Sequence, residues 1–177
     1  MAVICRNHRL LFIMVPRTGS TSVRDALIEN AEGEDVPRVG TTKHMDLAEL
    51  MCDGTAFDAE SMKELFKFCC VRNPYERLVS HYEAARTLHS KELNDPKSWV
   101  YQRPSYLVDI AVSTRHSFSY WVIRKYLLSA LRSLVLPKAT DSFYERFTDE
   151  MDFVMRFERL DADFAEVLRL AGFSKQL

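Results

Sequence analysis

Apolar residues follow two patterns along this chain. Short, largely apolar runs at residues 2–5, 9–15, 66–71 and 153–157 are too brief for helices and predict strands. Between them, apolar positions recur every three or four residues and predict helices. These cover 20–30, a short stretch from Asp46, 59–65, 74–88, 104–112, 116–135, 142–150 and 161–171. Capping residues sharpen several ends. Asp46 and Glu49 have capping-box spacing. Asn73 precedes Pro74, with Glu76 in the first turn. Gly172 stands where the last helix should stop. The first two strands flank Arg6-Asn7-His8 and predict a hairpin. A polar loop marked by Gly and Pro fills 31–42, and a second loop, carrying Trp99 and Tyr101, fills 94–104. Strands alternating with helices predict an α/β fold: a parallel sheet flanked by crossover helices, in one domain over 1–177. Such sheets take ligands at the carboxyl ends of their strands.

The stretch from Leu10 to Leu27 organises the rest. Five apolar residues end at Pro16; then Arg17, Thr18, Gly19, Ser20, Thr21 and Ser22 place a cation, a glycine and four hydroxyls in a row. Val23, Ala26 and Leu27 follow at helical spacing. A strand that opens through a small polar loop into a helix presents backbone N–H groups and the positive end of the helix dipole to an anion. Gly19 lets the backbone approach closely. The spacing is not that of the nucleotide P-loop G-x-x-x-x-G-K-[ST], because here the cation precedes the only glycine. The predicted ligand is a phosphate or a group of that shape.

Composition narrows the setting. The chain has 177 residues, 47% of them apolar, and a formal net charge of −1. No global basic field is available for nucleic acid or an anionic membrane, so an anion site must be assembled locally. Cys5, Cys52, Cys69 and Cys70 form no C-x-x-C pair and are expected to be reduced core thiols. The apolar run at 10–15 is shorter than a membrane span and lacks secretion-signal flanks, so a cytoplasmic setting is expected.

The segment PRTGSTS, at 16–22, resembles the 5′-phosphosulfate loop of sulfotransferases that use 3′-phosphoadenosine 5′-phosphosulfate (PAPS). FCCVRNPYERLVSHY, at 68–82, resembles the 3′-phosphate motif of that family, and DFVMRFERLDADFAEVLRLAGF, at 152–173, its later strand and helix. In this order and separation the three are similar to the carbohydrate-type sulfotransferases, with their P-loop-NTPase-like fold. The resemblance implies that residues 17–22 hold the phosphosulfate and that Arg72 and Ser80 hold the 3′-phosphate. It implies a sulfuryl transfer to a hydroxyl of a carbohydrate or small molecule, with the bisphosphate PAP as product and no metal. Many members carry Lys where Arg17 stands. A guanidinium stabilises charge on the leaving phosphate but does not give up its proton.

The acceptor hydroxyl needs a base, and histidine suits neutral pH. Of His8, His44, His81, His89 and His116, His44 follows Lys43 between the two anion motifs, where the family often has Lys-His. His81, Asp46 and Glu83 are the next candidates. The aromatic and basic run Phe118, Tyr120, Trp121, Arg124, Lys125 and Tyr126 reads as the core face of a helix, with an acceptor-pocket lining as the second reading. The family continues past its last helix, whereas this sequence stops at Leu177. A non-catalytic nucleotide-binding module of the same fold is therefore the alternative. A small ATP-dependent kinase is a further one, disfavoured by the missing Walker lysine.

Overall fold

A computed structural model describes residues 2–36, 44–52, 59–95, 97–135 and 143–173. The chain divides into two compact units, Met1–Asn73 with Asp141–Leu177, and Pro74–Thr140.

The first unit is built on a five-stranded sheet. Its strands are β1 (Ala2–Cys5), β2 (Leu10–Ile13), β3 (Glu34–Asp35), β4 (Phe66–Val71) and β5 (Phe153–Arg156), in the order β3-β1-β2-β4-β5. β4 pairs in parallel with both β2 and β5, while β1 pairs antiparallel with β2 and β3. The sheet is therefore mixed rather than parallel throughout. A three-residue 3₁₀ turn, Arg6–His8, returns the chain directly, and so tight a connection can only join antiparallel strands. β3 lies inside the stretch expected to be loop. Both of its residues are exposed and charged, so no apolar run announces it. Arg24 nevertheless ties it down: its Nε donates to Asp35 Oδ1 at 2.7 Å, and this hydrogen bond holds the Asp35 carboxyl below its ordinary range.

Alternation along the strands sorts the core into two faces. Ile4, Leu11, Ile13, Val15 and Cys69 face one side with Met45, Leu47, Leu50 and Met62. Val3, Leu10, Phe12, Phe68, Cys70 and Met155 face the other with Val23, Leu27 and Val167. The first side is covered by α2 (Leu47–Cys52), α3 (Ala59–Lys63) and α7 (Glu145–Thr148). The second is covered by α1 (Ser20–Asn30) and α8 (Leu160–Leu170). Each fully buried large side chain contributes about 1.5–3 kcal/mol, so strands buried on both faces hold the unit together. Neighbouring Cys69 and Cys70 thus point to opposite faces. Burial pushes each thiol up to about 12, and Cys5 up to about 11. Cys52 corrects the expectation of four core thiols: it is exposed at the end of α2.

Helix ends follow the capping chemistry. The Asp46 amide donates to Glu49 Oε2 at 3.1 Å, and the Glu49 amide donates to Asp46 Oδ1 at 2.8 Å, closing the capping box. α8 ends in a Schellman motif: the Phe173 amide donates to the Leu168 carbonyl, the Gly172 amide donates to the Arg169 carbonyl, and Gly172 has φ 79°.

The second unit is helical among the described residues. α4 (Pro74–Glu83) runs into a π-wound turn, Ala84–Leu88, and is followed by α5 (Pro104–Arg115) and α6 (Phe118–Val135). The 3₁₀ turns Lys91–Asn94 and Trp99–Gln102 occupy part of the expected loop. Ala85, Val100 and Ile110 form one buried cluster. Trp121 is buried, while Tyr120, Ile123, Tyr126 and Leu127 are exposed, so only part of the aromatic run on α6 is core. Val79, an apolar residue of α4, is also exposed.

Candidate functional site

The carboxyl ends of β2, β4 and β5 form one edge of the sheet, since the three strands are adjacent and parallel. Residues 17–22 follow β2, and Arg72 immediately follows β4, so both anion motifs of the first unit arrive at this edge. His44 is joined to it as well. Its Nδ1 lies 2.9 Å from the carbonyl oxygen of Met14, one residue past β2. A carbonyl only accepts, so Nδ1 carries the hydrogen, and the lone pair of the neutral ring sits on Nε2. Lys43 lies outside the described residues.

The loop after β2 is wound tightly. Arg17 has φ 68° and Gly19 φ 73°, two left-handed residues in three. For Arg17 this conformation costs about 1–3 kcal/mol, a strain that the surrounding contacts must hold. Thr18 and Ser20 are buried, and both hydroxyls donate to the Val15 carbonyl at 3.0 Å. Their hydrogens therefore brace the loop on the strand end, and what these residues offer an anion is their backbone. Thr21 and Ser22 are exposed in the first helical turn. The Ser22 and Val23 amides donate to Gly19, while those of Ser20 and Thr21 precede the first intrahelical bond. Together they make a helix start preceded by a cation, the arrangement an anion needs.

Gly19 is required twice over. Besides its positive φ, a Cβ there would lie 2.9 Å from Cδ2 and Cε2 of Phe157. Phe157 is the first residue past β5. Its ring also carries the guanidinium carbon of Arg72, 4.2 Å from the centroid. Tyr144 holds the Arg72 main chain from the other side: its hydroxyl donates to the Arg72 carbonyl at 2.6 Å and accepts from the Arg72 amide at 3.2 Å. The Asn73 amide donates to Glu158 Oε1 at 2.6 Å. Phe157, Tyr144 and Glu158 were not singled out from the sequence. The signal for Phe157 was its position, one residue beyond a strand parallel to the two strands that carry the motifs.

Of the other candidate bases, Asp46 is occupied. It caps α2, and Arg146 Nη2 reaches it at 2.8 Å and Glu49 at 3.2 Å. Ser80 and His81 belong to α4 in the second unit. Ser80 is half-buried. His81 packs against Tyr106 and Trp121, with its Nε2 3.7 Å from Asp109. His8 stacks on Phe173 at 3.9 Å, and His89 Nδ1 lies 3.0 Å from Glu92. Among the described residues no group of His, Cys, Asp and Glu could hold a metal ion, and no helix is long and apolar enough to cross a membrane.

A histidine of fixed tautomer, two arginines and a helix start thus lie at the carboxyl ends of parallel strands in an α/β protein, the place where such sheets take their ligands. The comparison with known families makes the class specific. A profile of the sulfotransferase family matches residues 1–177, and the chain belongs to that family. It is 28% identical over 129 residues to carbohydrate sulfotransferase 10 of Homo sapiens, and equally to that of Pongo abelii. Each match covers 70% of this chain and 31% of the relative, so the chain spans less than a third of the relatives' length. No solved structure matches it.

Proposed function

We propose that this chain transfers a sulfuryl group from PAPS to a hydroxyl group, on a carbohydrate or a small molecule. The observation that carries the reading is the convergence of Arg17, His44 and Arg72 on one strand edge, in a chain of the sulfotransferase family. PAPS supplies the activated sulfuryl group and presents two separate anionic ends, which is why two anion motifs are needed.

In this reading Arg17, Thr18, Gly19, Ser20, Thr21 and Ser22 receive the phosphosulfate. The backbone of the loop and the start of α1 offer N–H donors, and Arg17 offers charge as the leaving phosphate becomes more negative. Arg72 receives the 3′-phosphate. Ser80 is assigned to the same phosphate on the strength of its motif. His44 Nε2 takes the acceptor's proton as the acceptor oxygen bonds to sulfur and the bond from sulfur to the phosphate oxygen breaks. Donation from Nδ1 to the Met14 carbonyl keeps the ring in the tautomer this step requires. A carbohydrate acceptor is favoured by the similarity to carbohydrate sulfotransferase 10. We also assign the chain to the cytoplasm, on the expectation of reduced thiols.

The test is transfer of labelled sulfate from PAPS to a panel of sugars, phenols, steroids and lipids, beside calorimetry with adenosine 3′,5′-bisphosphate, ADP and ATP. Transfer to a sugar, with the 3′,5′-bisphosphate bound more tightly than ADP, is expected. ATP binding with no preference for a 3′-phosphate would rule the reading out.

A further inference from the structure

One side chain touches both halves of the donor site. The edge of the Phe157 ring occupies the space where a side chain on Gly19 would begin, at 2.9 Å from that position. Arg72 sits over the same ring, 4.2 Å from its centroid. Phe157 is itself anchored. It packs against the buried face that includes Phe68, Cys70 and Met155, and the chain turns through Phe157–Arg159 straight into α8. Leu160, at the start of α8, closes on Gly19 as well, at 3.4 Å from the position of a Cβ. Tyr144 clamps the Arg72 backbone, so Arg72 is held at its main chain by a hydroxyl and at its far end by the ring. An aromatic ring has only two side-chain torsions and no internal give. It therefore relates the Gly19 turn to the Arg72 guanidinium by a fixed spacer.

We propose that Phe157 is a positioning residue that sets the distance at which the chain reads two phosphate groups on one ligand. It thereby separates a nucleoside 3′,5′-bisphosphate from its 2′,5′-isomer. The inference rests on the sulfuryl-donor reading above and adds the specificity element within it. The two isomers carry the same charge and the same base, and differ only in where the second phosphate stands relative to the first. Net attraction to arginine cannot tell them apart; an arginine fixed in place can. Without the ring the guanidinium loses a contact that fixes its place, and the discrimination between the two positions weakens with it.

The experiment compares wild type, Phe157→Leu and Phe157→Tyr by calorimetric titration with adenosine 3′,5′-bisphosphate, adenosine 2′,5′-bisphosphate and AMP. Wild type and Phe157→Tyr, which keeps the ring, should prefer the 3′,5′-isomer. Phe157→Leu should lose roughly 3–30-fold of that preference, read as the ratio of the two bisphosphate affinities, the scale of one cation–π contact. A second readout needs no ligand. The side-chain methylene protons of Arg72 should be shifted by the ring current in wild type and Phe157→Tyr and return to ordinary positions in Phe157→Leu. If Phe157→Leu keeps the wild-type preference, or weakens all three ligands equally, the proposal is wrong while the donor reading stands. If wild type binds AMP as well as either bisphosphate, the donor reading falls and takes this proposal with it.

Discussion

Two regions of this chain hold a histidine, a cation and an aromatic ring, with opposite consequences. In the first unit His44, Arg72 and Phe157 each lie near the carboxyl ends of the parallel strands; inside the second unit His81, Lys125 and Trp121 pack together. The partner that holds each histidine separates the two. His44 is oriented by a main-chain carbonyl, which fixes its tautomer without bringing a charge. His81 lies 3.7 Å from the Asp109 carboxylate, which Lys125 Nζ already engages at 2.7 Å, with Lys125 4.6 Å from the Trp121 ring. Burial pushes the His81 ring below the ordinary histidine range, outweighing the pull of Asp109. Burial pushes Asp109 up, but His81 and Lys125 more than offset it, and the carboxylate stays ionised. The second region is a neutralised packing core, whereas the first presents its polar groups to a strand edge. A histidine near a cation is therefore no guide to chemistry until its partner is known.

Removing His44, and then the ring that packs on His81, tests the two roles separately. His44→Ala should lower turnover by roughly 10²–10⁴-fold, the usual cost of a lost general base, with donor affinity almost unchanged. Near-normal turnover on a verified acceptor would move the base elsewhere. Trp121→Ala should cost about 3–5 kcal/mol of stability, as expected for a large buried ring, read from urea denaturation. A cost below about 1 kcal/mol would mean that Trp121 is not part of the core.

Arg72→Ala should weaken adenosine 3′,5′-bisphosphate by about 1.5–3 kcal/mol relative to AMP, the worth of a charge-assisted hydrogen bond. Equal losses for both ligands would show that Arg72 does not read the second phosphate. The smallest effect is acid sensitivity. His81 takes a proton less readily when folded than when unfolded, so below about pH 6.5 the unfolded state binds more protons and stability falls as pH falls. The slope from this one group is at most about 1.4 kcal/mol per pH unit. His81→Gln should flatten the drop in urea midpoint between pH 7.5 and 5.5, and an unchanged drop would assign the sensitivity to another group.

Much of the first unit is legible in the sequence because its signals are local. The run at 66–71 and the helix at 20–30 match their structural bounds residue for residue. The Asp46–Glu49 capping box and the Gly172 stop are encoded within four residues of the ends they make. β3 escapes because an edge strand of two charged residues has no apolar alternation to reveal it. Tyr144 and Phe157 escape for a different reason. Their contacts with Arg72 bridge distant parts of the chain, and no local pattern encodes such pairs. The His44 contact with Met14 is equally long-range; the sequence offered the residue type and the motif order, and the structure adds the atom that fixes its tautomer.

The first unit is discontinuous in sequence, and this has a consequence for biosynthesis. β1, β2 and β4 leave the ribosome early, but β5 and α8 come only after the whole of the second unit. Until residues 153–156 are made, β4 presents an unpaired backbone edge, the kind of surface that sticks to other chains. The nascent protein must carry that exposed edge through the synthesis of more than three further helices' worth of chain. Arg72 is made long before Phe157, so the contact between guanidinium and ring waits for the strand that pairs with β4.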